Sequence, residues 1–441
     1  MKSQFDLLIR NALVVAMDAR RQVFTGDVAV QGRTIAAVGE VPGTARREID
    51  GQGCALLPGL VQAHVHLCQT LFRNVADGLP LLPWLKRWIW PLEALHDERS
   101  MRASVRLGVA ELVRGGTTCV LDMGTVHHTD VIFEELEALG LRATSGKAMM
   151  DCGTDCPPAL REELDSALQS SVALFRRWHG AAHGRLHYAF APRFALSTSP
   201  ELHRLVAEEA RRLGARVHSH AAESREEREQ IRAIAGKGNI AYLHDLGLSG
   251  AHVCLAHCIW LDEEEMAILA RTGTHVLHCP SANLKLASGI ARVPEMRKKG
   301  INVALGADGA ACNNNLDAFL EMRLATLIQG LRLEAGALSA EAALEMATMG
   351  GARALGLEDQ IGSIEVGKRA DLILVDISLP HNSPGQDIYS RLVFSCTARD
   401  VRTVVVDGKV LLEDGRLLVL DDEEVVRKAE EESRRLLQKL S

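Results

Sequence analysis

Two rhythms of apolar and polar residues divide this chain. Up to about residue 50, short runs rich in β-branched residues (6–17, 27–30 and 34–38) are separated by Thr25-Gly26 and Gln31-Gly32, the pattern of strands joined by tight turns. From about Leu56 the rhythm changes. Wholly apolar runs now alternate with charged stretches of helical period, such as 201–213 and 262–272. Ala55-Leu56-Leu57-Pro58-Gly59-Leu60-Val61 reads as one buried strand. Eight strand ends are predicted, at 59–66, 118–123, 142–149, 186–192, 216–220, 252–257, 275–278 and 302–306. Eight alternating units predict an α/β chain built on a (β/α)8 TIM-like barrel. A doubly wound open sheet is the alternative, but no Gly-x-Gly-x-x-Gly follows the first strand. After about Gly356 strands return, at 362–365, 370–375 and 401–412, with turns at Val366-Gly367-Lys368 and Asp407-Gly408-Lys409. The simplest organisation is a small β-sandwich domain from residues 1–57 plus 356–420, a barrel over 58–355, and a C-terminal helix over 421–441. The charged faces of that helix predict a solvated element or an oligomer contact.

Composition narrows the class. Of 441 residues, 47% are apolar and 24% charged, as in soluble globular proteins. The net charge of -7 comes without a basic stripe, so nucleic acid is not an expected partner. No stretch is apolar enough to span a membrane, and Met1-Lys2-Ser3-Gln4-Phe5-Asp6 meets charge too early for a secretion signal. The ten cysteines are scattered, several in strand-like runs (Cys119, Cys254, Cys279), with no CxxC pair. Reduced thiols in a cytoplasmic protein follow. The expected state is a homo-oligomer acting on a small molecule.

The chemistry gathers at the predicted strand ends, where barrels carry their active sites. His64-Val65-His66 ends strand one, and residues i and i+2 of a strand point to the same side. His220 ends strand five, with Glu223 three residues on; His257 ends strand six and Asp308 ends strand eight. Three imidazoles and a carboxylate make an N3O set for zinc or a similar divalent ion. A further carboxylate beside the site suits proton transfer. Each residue alone would pass for a core histidine or a helix cap; their coincidence at four strand ends points to a metal site.

The motifs Pro58-Gly59-Leu60-Val61-Gln62-Ala63-His64-Val65-His66, His220-Ala221-Ala222-Glu223, Leu255-Ala256-His257-Cys258 and Gly306-Ala307-Asp308-Gly309, with the run Gly362-Ser363-Ile364-Glu365-Val366-Gly367-Lys368, resemble those of the amidohydrolase superfamily over almost the whole chain. The resemblance implies one divalent metal per chain, held by His64, His66, His220 and Asp308. It makes Glu223 the proton carrier and puts His257 beside the attacked centre. The metal is expected to be zinc; iron, manganese and cobalt accept the same ligands. Two-metal relatives carry a lysine at the end of strand four, where this chain has Ala191-Pro192-Arg193. That favours one metal, with Lys147 near the end of strand three keeping the alternative open.

The segment 278–291 and Gly309-Ala310-Ala311-Cys312-Asn313-Asn314 resemble S-adenosylhomocysteine/methylthioadenosine deaminases and 5'-deoxyadenosine deaminases. That implies a ribose-binding role for Glu93, and for Lys147 and Arg161 a place toward the 5' tail. Arg193 and Gln69 look instead like the purine contacts of guanine deaminase. Trp84 and Trp88 follow strand one and are expected to wall the site. The implied reaction is hydrolytic deamination of an adenosine-like nucleoside. Glu223 would protonate the ring nitrogen, Asp308 would take the proton of the attacking water, and His257 would bond the new oxygen. Guanine deamination, triazine or other aminoheterocycle hydrolysis, and a non-catalytic scaffold are the rival readings. His-x-Glu with Pro-Cys-x-x-Cys, the signature of a different deaminase design, is missing.

Overall fold

The computed structural model of the chain describes residues 4–153 and 155–440. Residues 1–3 and Ser441, the outer ends of two expected segments, lie outside the described residues, as does Thr154. Eight parallel strands form the barrel: Leu60–Val65, Thr117–Met123, Arg142–Gly146, Leu186–Pro192, Arg216–Ala221, Val253–His257, His275–His278 and Val303–Leu305. Each pairs with the next in sequence order. Closure is made at the first and eighth strands, where Val65 bridges Asp308 and the Asp308 N–H donates to the His64 carbonyl at 2.9 Å. One buried cluster joins barrel-strand residues, small ones such as Ala63, Ala189, Ala256 and Ala304 together with Leu121 and Leu277. Larger apolar residues pack between strands and helices, as close packing of an α/β layer requires.

The expected third strand, 142–149, is interrupted at Lys147, and Ala148–Met149 continues it as a separate short piece paired with Leu186–Pro192. The run 55–61, expected as one strand, is two. Cys54–Pro58 belongs to the small sheet and Leu60–Val65 to the barrel. Gly59 makes the changeover because Thr118 crowds it: a Cβ there would sit 2.0 Å from the Thr118 Oγ1.

The small sheet joins both ends of the chain. Cys54–Pro58 pairs antiparallel with Leu372–Asp376, linking Phe5–Val15, Val23–Gln31 and Thr34–Gly39 to Val401–Val406 and Lys409–Glu413. The strands form one continuous hydrogen-bonded sheet. Its strands share a core in which Ile9, Val28 and Ile35 cluster with Leu372, Val405 and Val410, so the small domain is one sheet where a sandwich was expected. Two further details differ from the sequence reading. Ala45–Asp50 is a strand the pattern did not reveal, because its residues alternate between partly and fully exposed. Gly362-Ser363-Ile364-Glu365, expected as a strand, is a bend followed by irregular chain, with Gly362 at φ 89°.

The small sheet is bolted to the barrel by a buried ion pair. Arg142, on the third barrel strand, donates from Nε and Nη2 to both oxygens of Asp371, at 2.7 and 2.9 Å. Arg142 is fully buried, so losing either partner would strand a charge in the interior. The terminal helix, Asp422–Leu440, is not merely solvated. It packs on the Glu98–Arg114 helix, burying Val425, Ala429 and Leu436, and Arg435 pairs with Asp97 at 2.7 Å. No helix among the described residues is long and apolar enough to cross a membrane.

Closure of the barrel depends on Gly306. A Cβ there would lie 2.7 Å from both the nitrogen and the carbonyl oxygen of His64. Gly306→Ala should therefore push the first and eighth strands apart and cost about 1–3 kcal/mol. Urea unfolding checks it; an unchanged midpoint would mean that the strands tolerate the extra methyl.

Candidate active site

His64 and His66 project from the end of the first barrel strand and His220 from the end of the fifth. Their hydrogen bonds fix which ring nitrogens are free. The His66 Nδ1–H donates to the Met123 carbonyl at 2.8 Å, and the His220 Nδ1–H to the Arg193 carbonyl at 2.7 Å. A neutral imidazole has one donor and one acceptor nitrogen. Both Nε2 atoms are therefore lone-pair acceptors, and they face each other at 3.2 Å. Two acceptors at that distance need an electrophile between them. The Nε2 of His64 repeats the situation: it is buried, has no hydrogen-bond partner, and lies 3.3 Å from the Asp308 Oδ1. The His66 Nε2 is also 3.3 Å from that oxygen.

The ligating atoms of His64, His66 and His220 all lie within 4.8 Å of one another, as do those of His64, His257 and Asp308. This donor set, with its orphaned and mutually facing lone pairs, fits a divalent cation of the zinc type. Burial keeps the imidazoles neutral, lowering His66 to about 4 and His220 well below the ordinary histidine value. Burial alone would raise the Asp308 carboxyl, but the facing His64 and His257 hold it well below the usual range.

A second cluster adjoins the first. The His257 Nε2 is 3.5 Å from the Glu223 Oε2 and 3.8 Å from the Asp308 Oδ2. Its Nδ1–H donates to the Asn283 Oδ1 at 2.8 Å. Burial opposes a charge on His257, yet Glu223 and Asp308 outweigh it and raise its pKa. Glu223 itself is pushed up to about 7 by burial, only partly offset by His257. The Ser288 hydroxyl donates to its Oε1 at 3.4 Å. A carboxyl near 7 beside a histidine that favours its cation has the electrostatics that proton transfer requires. Ala222, His257 and Asp308 all hold left-handed backbone, at φ 51°, 72° and 65°. Such strain at three strand ends is what a site held for function, not for stability, carries.

A small cavity of about 30 Å³ opens over these groups, walled by Leu81, Trp84, Leu85, Phe194 and Leu286, with Gln69 and Arg193 at one side. The expected positions of Gln69, Arg193 and Trp84 are thus at the cavity. Four other expected residues are not, among them Arg161, which is exposed at the end of the short helix Pro158–Leu160. Trp88 is half-buried in the packing of its own helical segment. Lys147 forms an ion pair with Glu162 and donates to the Ser170 hydroxyl at 3.1 Å, in a separate pocket with His127 and Arg177. Glu93, expected to hold ribose hydroxyls, lies behind the wall. Its oxygens accept from Arg193 at 2.6 and 3.1 Å, from Gln69 at 2.9 Å and from Thr125 at 3.2 Å. The carboxylate is spent on orienting Arg193 and Gln69, because a buried charge must be paired where it sits. The sequence reading anticipated Trp84 in the apolar wall but missed Leu81, Leu85, Phe194 and Leu286, and it missed Asn283. It also passed over His218, although His218-Ser219-His220 repeats the spacing of His64-Val65-His66.

Residues 55–411 match the Amidohydrolase family. A 5-methylthioadenosine/S-adenosylhomocysteine deaminase of Desulforudis audaxviator is 41% identical over 438 residues, 98% of this chain and 99% of that protein. A 5'-deoxyadenosine deaminase of Methanosarcina acetivorans is 39% identical over 429 residues, 96% of each. Among solved structures, an adenosine deaminase from Xanthomonas campestris with bound zinc superposes with a TM-score of 0.92. It is 34% identical, over 98% of this chain and 99% of that one.

The neutral imidazoles set the acid limit of metal retention. A histidine ligates as the free base, so protons compete only near or below its folded pKa, and for His66 that is about 4. The protein should keep its metal at pH 6 and release it only as the pH falls toward 4. Metal content after gel filtration at stepped pH checks this; half-release at or above pH 6 would contradict it.

Proposed function

The chain belongs to the amidohydrolase family, and from that premise we propose that it is a metal-dependent hydrolytic deaminase of an adenosine-like nucleoside. Water adds to C6 of the purine, ammonia leaves, and the inosine analogue is released. The observation that carries this reading is the acceptor–acceptor contact of His66 and His220 beside a carboxyl poised near neutral pH. The identity at about 40% to deaminases of 5'-substituted adenosines supports the nucleoside class over guanine and triazines. We take the metal to be zinc, as in the Xanthomonas campestris adenosine deaminase.

We assign His64, His66, His220 and Asp308 as the residues that hold the cation. Bound there, a divalent ion lowers the pKa of water toward 7 and so makes hydroxide available at neutral pH. Every other step falls to side chains. Asp308, ionised by its histidine neighbours, takes a proton from the attacking water at Oδ2, the oxygen that faces His257. Glu223, whose pKa burial raises to about 7, gives its proton to the ring nitrogen next to C6, so that negative charge does not build up on the ring. The His257 Nε2–H points at the new oxygen and stabilises it, with Asn283 fixing the ring through Nδ1. Asp308 then passes its proton to the amino nitrogen, the C6–N bond breaks as ammonia leaves, and the proton of the new hydroxyl returns to Glu223 as the carbonyl forms. Trp84, Leu81 and Leu85 exclude water, and Arg193 with Gln69 orients the heterocycle, both held by Glu93. The ten unpaired thiols, nearly all buried, suit a reducing compartment, and we assign the enzyme to the cytoplasm.

An ammonia-release panel of 5'-deoxyadenosine, methylthioadenosine, S-adenosylhomocysteine, adenosine and guanine tests the substrate class. Turnover of one or more adenosine derivatives is expected; turnover of guanine alone would overturn the assignment. Glu223→Gln should keep its metal and lose about 10²–10⁴-fold in kcat. Loss of metal in that variant, or full activity, would remove Glu223 from its assigned role.

A further inference from the structure

The three imidazoles facing the cation site do not lean on equivalent supports. His66 and His220 donate from Nδ1 to main-chain carbonyls, which no substitution can remove. His64 instead contacts a side chain: its Nδ1 is 2.7 Å from the Nε2 of His218, with the two rings at 90°. His218 is fully buried and sits on the fifth barrel strand two residues before His220, on the same side of that strand. One strand therefore serves two of the ligands.

The tautomers follow from the metal assignment, on which this inference rests. If His64 offers its Nε2 lone pair to a cation, its proton is on Nδ1. Its partner at 2.7 Å must then accept, which puts the His218 proton on Nδ1. That nitrogen has no hydrogen-bond partner, although the ring is wholly buried. A buried, unpaired donor destabilises the fold, so packing alone gives no reason for a histidine here. The requirement for an acceptor at Nε2 does.

We propose that His218 is a positioning residue for the metal centre: its Nε2 accepts the His64 Nδ1–H, and so fixes the tautomer and ring angle in which His64 presents a lone pair to the cation. It touches neither substrate nor metal. Outer hydrogen bonds of this kind typically change metal affinity 10–100-fold when removed. Carboxylates and carbonyls are the usual acceptors; here a second imidazole takes the part, buried among residues where a carboxylate would bring an unpaired charge.

Gln and Met are nearly equal in length, and only Gln carries an acceptor oxygen. Zinc affinity is measured by chelator competition for the wild type, His218→Gln and His218→Met, with the cobalt-substituted absorption spectrum recorded for each. His218→Met should bind zinc about 10–100-fold more weakly, with an altered cobalt spectrum, and His218→Gln should recover most of the affinity. Equal affinity in all three, or equal losses in both variants, would overturn the proposal. If His218→Met does not fold, the wild type still decides. With ¹⁵N-histidine labelling, the zinc-loaded protein should have the His64 proton on Nδ1 and the His218 proton on Nδ1, and any other arrangement refutes it. Wild-type protein that binds no zinc would instead count against the metal assignment itself.

Discussion

Two imidazole lone pairs pointed at one another from 3.2 Å organise this molecule. Each is forced into that orientation because the opposite ring nitrogen is committed to a main-chain carbonyl, Met123 for His66 and Arg193 for His220. A barrel that only had to be stable would relieve the contact with a proton or a rotamer change. Here burial opposes the proton, and the packed ends of the first, second, fourth and fifth strands oppose the rotation. The arrangement makes sense when a cation occupies the gap, and the binding energy of that cation then contributes to the stability of the fold.

The supports spread outward from there. Gly306 lets the eighth strand approach the His64 backbone closely enough for Asp308 to reach both imidazoles of the first strand. The left-handed backbone of His257 and Asp308 lies where their side chains meet at the site. Asp122 accepts from the Leu67 N–H at 2.8 Å, holding the chain immediately after His66. The Arg142–Asp371 pair and the Cys54–Pro58 strand couple the small sheet to the barrel, far from the chemistry. Left-handed backbone at the site is held in place by the surrounding close-packed layers.

Much of this was legible before any coordinates. Alternating apolar runs and charged helical stretches place seven of the eight strands to within a residue, since buried parallel strands are apolar throughout, and the third is broken at Lys147. His64, His66, His220, Glu223, His257 and Asp308 stood out because each ends a run. What failed to show had a physical cause. Gly59 separates two sheets through one contact with Thr118, which is distant in sequence. Glu93 has the composition of a ligand-binding residue, but whether its oxygens face a cavity or an arginine depends on Arg193, a hundred positions away. The terminal helix looks solvated from its charges, yet its few apolar residues meet the Glu98–Arg114 helix. His218 was hidden by resemblance to its neighbour, because two histidines on one strand do the same geometry and different work.

X-ray absorption at the zinc edge of the loaded enzyme addresses the centre most directly. Three imidazole nitrogens and one carboxylate oxygen should surround a single ion, the nitrogens at about 2.0–2.1 Å. A shell with fewer than three imidazoles, or a second metal within scattering range, would contradict the account.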